Sequence, residues 1–206
     1  MKYYFLSESC FVYNLSDKLD ITDNLKILQI YRDIKADETF KSKNNIYDLV
    51  PTYNSLAFHL NNSDPTSFEK TILDRIAKVD YTANIESKIH TIDVLYNGCD
   101  LEDMSKKLDL TVSEIIKKHT SKEYHIAMLG FKPYFPYLLG LDEHIRMPRL
   151  ATPRNRVAKG SVGIGGSQTT VFPLESPSGW NIIGNTDFDD FTSFSAGDKI
   201  VFKQSF

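Results

Sequence analysis

Gly130-Phe131-Lys132-Pro133-Tyr134-Phe135-Pro136-Tyr137-Leu138 opens the stretch that decides the architecture. Pro148-Arg149 and Pro153-Arg154 follow. Then come Gly160-Ser161-Val162-Gly163, Gln168-Thr169, Pro173, Ser176-Pro177-Ser178-Gly179-Trp180 and Ile183-Gly184-Asn185-Thr186. The span from Tyr124 to Thr186 holds most of the chain's glycine, proline and arginine, and its only tryptophan. Gly and Pro set backbone turns, and the segments between them are strand-length. Short strands alternating with such turns predict a β-barrel or a β-sandwich. Gly197-Asp198 is a further turn before a last strand, Lys199–Phe202.

Upstream the pattern changes to mixed strands and helices. Residues 2–6 and 10–14 are rich in Tyr, Phe and Val and read as strands. Thr22 or Asp23 can cap a helix whose apolar face is Ile27, Ile30, Tyr31 and Ile34. Residues 46–60 read as a hairpin turning at Tyr53-Asn54-Ser55, with Leu56, Phe58 and Leu60 on one face. Asp64-Pro65 starts a helix with Phe68, Ile72, Ile76 and Val79 as its stripe. A strand over 88–96 follows. The order β-α-β-β-α-β predicts a ferredoxin-like unit over 1–85. Its polar boundary, near 80–88, leads into a second domain over 86–206. That domain begins with two short helices. Asp100 starts one, with Leu101, Met104 and Leu108 inward. Thr111-x-x-Glu114 is a capping box for the other, with Val112, Ile115, Ile116 and His119 inward. The fold class is therefore α+β.

The 206 residues are 41% hydrophobic and 25% charged, with net charge −3. These values suit a globular protein and give no support to nucleic-acid binding. No apolar run reaches the roughly 18 residues of a membrane span, and the N-terminus lacks a cleavage pattern. A cytoplasmic protein is the simplest reading. Cys10 and Cys99 read as two free, buried thiols. The five histidines show no metal-binding spacing, and no G-x-S-x-G elbow is present.

Several residues could carry chemistry. His119 continues the apolar face of its helix yet lies in the last turn. There the dipole favours a protonated imidazole, so it reads either as a satisfied core histidine or as a proton carrier. Arg146, Arg149, Arg154, Arg156 and Lys159 place five cations in fourteen positions. They could bind a carboxylate or phosphate, or pair with acidic neighbours and backbone carbonyls. The run Gly160–Thr170 could present N–H groups to an anion, or form a glycine-rich β-turn. It is neither a Walker loop nor a dinucleotide fingerprint. Tyr134, Phe135, Tyr137 and Trp180 could wall a small-molecule pocket or fill a core.

The ordered motifs resemble one family, that of the 5-oxoprolinase B subunit, also called allophanate hydrolase subunit 1. The family includes the sporulation-kinase inhibitor KipI. Its pattern runs Y-x-G-x-D-L, a His ending a helix, G-F-x-P-G-F-x-Y-L, P-R-x-x-x-P-R, G-S-V-x-I, Q-T-G-x-Y-P, S-P-G-G-W and I-G-x-T. Matching residues include Tyr96, Gly98, Asp100, His119, Gly130, Phe135, Tyr137, Arg149, Arg154, Ser161, Gln168, Thr169 and Trp180. Tyr134, Thr170 and Ser178 stand where the pattern has Gly, Phe172 where it has Tyr, and Asn185 where Arg is common. The resemblance implies that the second domain is a cyclophilin-like β-barrel. It also implies work in an oxoprolinase complex with two companions, a homologous C subunit and a separate A subunit. Together they would open 5-oxoproline to L-glutamate with ATP. His119, Arg149 and Arg154 are the expected catalytic residues. Phe135, Tyr137, Ser161, Gln168, Thr169 and Trp180 are the expected substrate contacts. No metal is expected. The resemblance carries two alternatives: a KipI-like inhibitor of a sensor histidine kinase, and a carboxyltransferase-like component acting on urea or allophanate.

Overall fold

The computed structural model describes residues 2–61, 65–83 and 85–206, with backbone only at 65 and 66. The chain divides into two compact units, Met1–Ile85 and Glu86–Phe206.

In the first unit, β1 (Lys2–Ser7) and β2 (Cys10–Asn14) form a tight hairpin. Helices α1 (Ile21–Ala36) and α2 (Glu38–Lys43) follow, then the hairpin of β3 (Ile46–Pro51) and β4 (Ser55–Leu60), then α3 (Pro65–Ile76). The strands form one antiparallel sheet in the order β1-β2-β4-β3. From β2 through α3 this follows the expected ferredoxin-like path. The outer place beside β2 is filled by β1, from ahead of it in sequence, and not by a strand after α3. A hairpin closed by two residues loses little chain entropy, so β1 takes that edge. The strand expected over 88–96 lies in the second unit.

Local signals explain the helices. The cap of α1 is Asp20, not Thr22 or Asp23. Its carboxylate accepts from the Thr22 and Asp23 N–H groups at 2.8 and 3.1 Å, which places both residues inside the first turn. Ile27, Ile30 and Ile34 are fully buried. Asn24 is buried with them because its amide donates to the Thr52 and Tyr53 carbonyls, holding the β3–β4 turn. The expected cap of α3, Asp64, lies outside the described residues. Its stripe of Phe68, Ile72, Ile76 and Val79 is buried as expected. Helix α2 carries no signal in the sequence pattern, since six residues are too few to show a period.

The second unit begins with β5 (Ile89–Val94), α4 (Leu101–Leu108) and α5 (Val112–Thr120). Thr111 and Glu114 make the full capping box of α5. Strands β6 (Glu123–Leu129), β7 (Pro136–Leu139), β8 (Arg154–Val157), β9 (Ser161–Gly165), β10 (Gln168–Val171), β11 (Ser176–Ser178), β12 (Asn181–Asn185) and β13 (Lys199–Gln204) follow. Seven strands run in the order β12-β9-β10-β7-β6-β13-β5, while β8 and β11 pair as a separate ribbon. The first and last strands of that order are joined at one point. Leu95 N–H donates to the Asn185 carbonyl at 2.8 Å, and Asn185 N–H returns the bond at 2.9 Å. This reciprocal pair makes the sheet a nearly closed barrel rather than a sandwich. Ile92, Val94, Tyr124, Ile126, Leu138, Val162, Ile164, Val171, Ile183, Ile200 and Phe202 fill its interior. Leu101, Met104 and Ile115 join the same core from the two helices. Both cysteines are free, but only Cys10 is buried; Cys99 is exposed, contrary to expectation.

Candidate functional site

Side chains alternate along a strand, so each barrel strand has an inner and an outer face. The expected site residues fall on both. His119 and Thr169 are interior and fully buried. The Thr169 hydroxyl donates to the Gly163 carbonyl at 3.0 Å. Having one hydrogen, it accepts from His119 Nε2–H at 2.9 Å. His119 Nδ1 then accepts from the Tyr96 hydroxyl at 2.6 Å. The imidazole stacks on Phe202 with ring centres 4.7 Å apart, and the Tyr124 hydroxyl donates to the His119 carbonyl. Burial pushes the His119 pKa down to about 3. Burial also pushes the Tyr96 hydroxyl pKa upward. Of the two sequence readings, this geometry supports the satisfied core histidine. Both nitrogens are occupied, and the ring is fully buried.

The outer face carries a different cluster. Phe135, Phe172, Trp180, Val157 and Ile182 form a small separate core, with Tyr137 packed against it. Phe135 meets Tyr137 and Phe172 at 5.1 Å and Trp180 at 6.2 Å. Val162 and Ile164 of β9 point inward, so Gly163 and Gly165 face this cluster. A Cβ on Gly165 would lie 2.9 Å from Trp180 Cδ2 and 3.2 Å from Arg149 Cγ. These glycines make room for an indole and an arginine stem. Within the run β9 pairs with β10 and β12, the Gly160, Ser161 and Gly166 N–H groups donate to the Phe172, Ala158 and Met147 carbonyls, and Trp180 lies across it. It therefore does not fit a phosphate, and the β-turn reading describes it.

Arg149 is exposed, with its guanidinium 5.0 Å from the Trp180 ring centre. No carboxylate pairs with it among the described residues, which leaves its charge open to an incoming anion. Its charge also opposes the rise that burial causes in the Tyr137 pKa. Arg154 behaves otherwise. Its Nη2 donates to Asp100 Oδ1 at 2.5 Å, and its Nη1 reaches the Trp180 carbonyl at 3.5 Å. Asp100 stands at the N-cap of α4 but does not cap it. Its other oxygen accepts from Ile182 N–H at 2.6 Å. Arg154 thus belongs to a structural clamp. Arg156 forms a two-pronged pair with Glu175, and Lys159 lies over Phe191.

Among the remaining expected contacts, Gln168 is buried and stands opposite Gly165 in register. Ser161 is buried at the start of β9, its carbonyl taken by Phe172 N–H. Sequence reasoning does not reach Asn181 or the clamp role of Asp100. Neither carries a local signal, since their partners are distant in the chain. Among the described residues no group of three or more His, Cys, Asp or Glu side chains could hold a metal. No helix among them is long and apolar enough to cross a membrane.

Comparisons with known proteins agree with this geometry. The chain is 35% identical over 179 residues to the 5-oxoprolinase B subunit of Bacillus subtilis, covering 82% of this chain and 74% of that protein. It is 37% identical over 153 residues to the 5-oxoprolinase B subunit of Escherichia coli O157:H7, covering 71% of this chain and 69% of the relative. The crystal structure of TTHA0988 superposes on 96% of the chain with TM-score 0.79 and 25% identity. This chain spans only 40% of TTHA0988's length. The family model of the carboxyltransferase domain, subdomain C and D, matches residues 1–200. The barrel, its outer aromatic cluster and these matches together place the chain in the carboxyltransferase domain subdomain C and D family, among homologues of the 5-oxoprolinase B subunit.

Proposed function

We propose that this chain is the B subunit of an ATP-dependent complex that, with its two companion subunits, opens 5-oxoproline to L-glutamate. Relatives that match 82% and 71% of the chain bear the B-subunit name. The observation that carries the reading to a site is Arg149, an exposed cation stacked on Trp180 and without an acidic partner among the described residues. The substrate is a small flat ring bearing one carboxylate. Arg149 matches the carboxylate, Trp180 beneath it backs the guanidinium, and the half-buried Tyr137 offers apolar surface to the ring. Phosphorylation of the amide oxygen by ATP would make the lactam carbon a better electrophile for water, but the glycine run offers the nucleotide no cradle. No step is assigned to the nucleotide on this chain. Arg154 holds the 180–182 backbone through Asp100, and His119 serves as a neutral internal brace.

The test is glutamate release from 5-oxoproline with ATP by this chain co-expressed with both companions, the A and C subunits, against a control lacking this chain. Turnover should vanish in the control. Arg149→Ala should lower kcat/KM about 10- to 100-fold, the loss of one charge-assisted contact. An assembled but inactive complex would sink the reading, and full activity in Arg149→Ala would sink the assignment of the carboxylate ligand.

A further inference from the structure

We infer that Asn181 is the positioning residue that holds Arg149 on Trp180. Arg149 sits in an irregular segment, and an arginine on a free loop would not keep a fixed pose over an indole. The segment is tied at three points. Gly166 N–H donates to the Met147 carbonyl at 2.7 Å, and Leu150 N–H donates to the Gly179 carbonyl at 2.7 Å. Between these two, the Asn181 amide donates to the Pro148 carbonyl at 2.9 Å and to the Ile164 carbonyl at 3.1 Å.

Asn181 is suited to this task by chemistry and by place. A primary amide carries two N–H donors on one nitrogen, so one side chain can join two carbonyls. Pro148 immediately precedes Arg149, and Ile164 immediately precedes Gly165, the glycine beneath the Arg149 stem. Asn181 also follows Trp180 directly. Its two bonds therefore lock together the three segments that carry the cation, the glycine floor and the indole. Asn181 is 3% exposed, so water does not replace those bonds when they are lost. The Asp100–Arg154 clamp grips the next residue, Ile182, so the side-chain tie to the Arg149 segment comes from Asn181.

The consequence is a preformed anion seat whose geometry depends on a residue that touches no ligand. Its link to turnover rests on the function proposed above; its structural content does not. The chain permits a direct test, because Trp180 is the only tryptophan in its sequence and all its indole emission reports this seat. Asn181→Asp keeps the shape but replaces both donors by a carboxylate. Should it not fold, Asn181→Ser removes the amide without adding charge. Either variant should red-shift the emission and raise acrylamide quenching about two-fold, as should Arg149→Ala, because the guanidinium would no longer cover the ring. Adding Arg149→Ala to Asn181→Ser should produce no further change. In the assembled complex, Asn181→Ser should raise the KM for 5-oxoproline about 10-fold with kcat within about two-fold.

Unchanged emission and quenching in Asn181→Ser would overturn the inference, as would additive effects in the double variant. An inactive wild-type complex would remove the proposed substrate while the fluorescence comparison still decides the role of Asn181.

Discussion

Tyr134 occupies the left-handed region, with φ 62°, in the turn between β6 and β7. Glycine in the related pattern at this place has a direct physical reason, since an L side chain there costs about 1–2 kcal/mol. Tyr134→Gly should stabilise the protein by about 0.5–1 kcal/mol, the relief being partly offset by added freedom in the unfolded chain. A urea midpoint no higher than that of the parent would show that tyrosine packing outweighs the strain. The other departures found partners. The Thr170 hydroxyl donates to the Pro136 carbonyl at 2.6 Å, and Ser178 Oγ accepts from Trp180 N–H at 3.1 Å. Both brace the aromatic cluster. Residue type pointed to Arg149 as a possible anion ligand and to Trp180 as a pocket wall or core residue, and the two meet. It did not separate Arg149 from Arg154, because the difference lies in Asp100, 54 residues away from Arg154.

Among the elements, the stretch between β5 and α4 acts as an added edge to β12. Gly98 N–H donates to the Ile183 carbonyl, and Asp100 N–H to the Ile182 carbonyl. A Cβ on Gly98 would come within 2.2 Å of the Ile182 carbonyl oxygen. Backbone cannot step aside as a flexible side chain can, so Gly98→Ala should destabilise by about 3 kcal/mol or lose the fold. A melting temperature within about a degree of the parent would contradict this close approach. Apart from the six-residue α2, the helices were legible because their signals are local: Thr111 and Glu114 are three residues apart, and the stripe of α3 repeats within one segment. The edge strand β1 was legible as a strand but not as the partner completing the first sheet, since strand order is a property of pairing.

The molecule as a unit answers to acid through its buried histidines. His119 has a folded pKa near 3 against 6.5 unfolded, and burial lowers His125 to about 4, with Lys199 adding to the effect. In both, the unfolded chain binds more protons below pH 6.5. Stability is therefore full above about pH 6.5 and falls as the pH drops towards about 4. Each unit of difference is worth about 1.4 kcal/mol, so the two together weaken the fold by several kcal/mol. Thermal unfolding should show a melting temperature that declines steadily from about pH 7 to about pH 4.5, and a shallower decline in His119→Gln. A flat profile in the parent would mean that these rings are hydrated.

The order of residues was enough for whatever depends on neighbours in the chain: helix caps, apolar periods, turn glycines, and the ordered motifs that mark the family. Folding in three dimensions decided what depends on meetings across the chain. Leu95 and Asn185 close the barrel, Thr169 and Tyr96 take up both nitrogens of His119, and Asp100 takes Arg154. Asn181 reaches across 33 residues to Pro148 to pose Arg149. A period of about two or about 3.6 tells which side of an element is apolar. It does not contain the partner of a buried donor, which is fixed only when strands and loops are brought together.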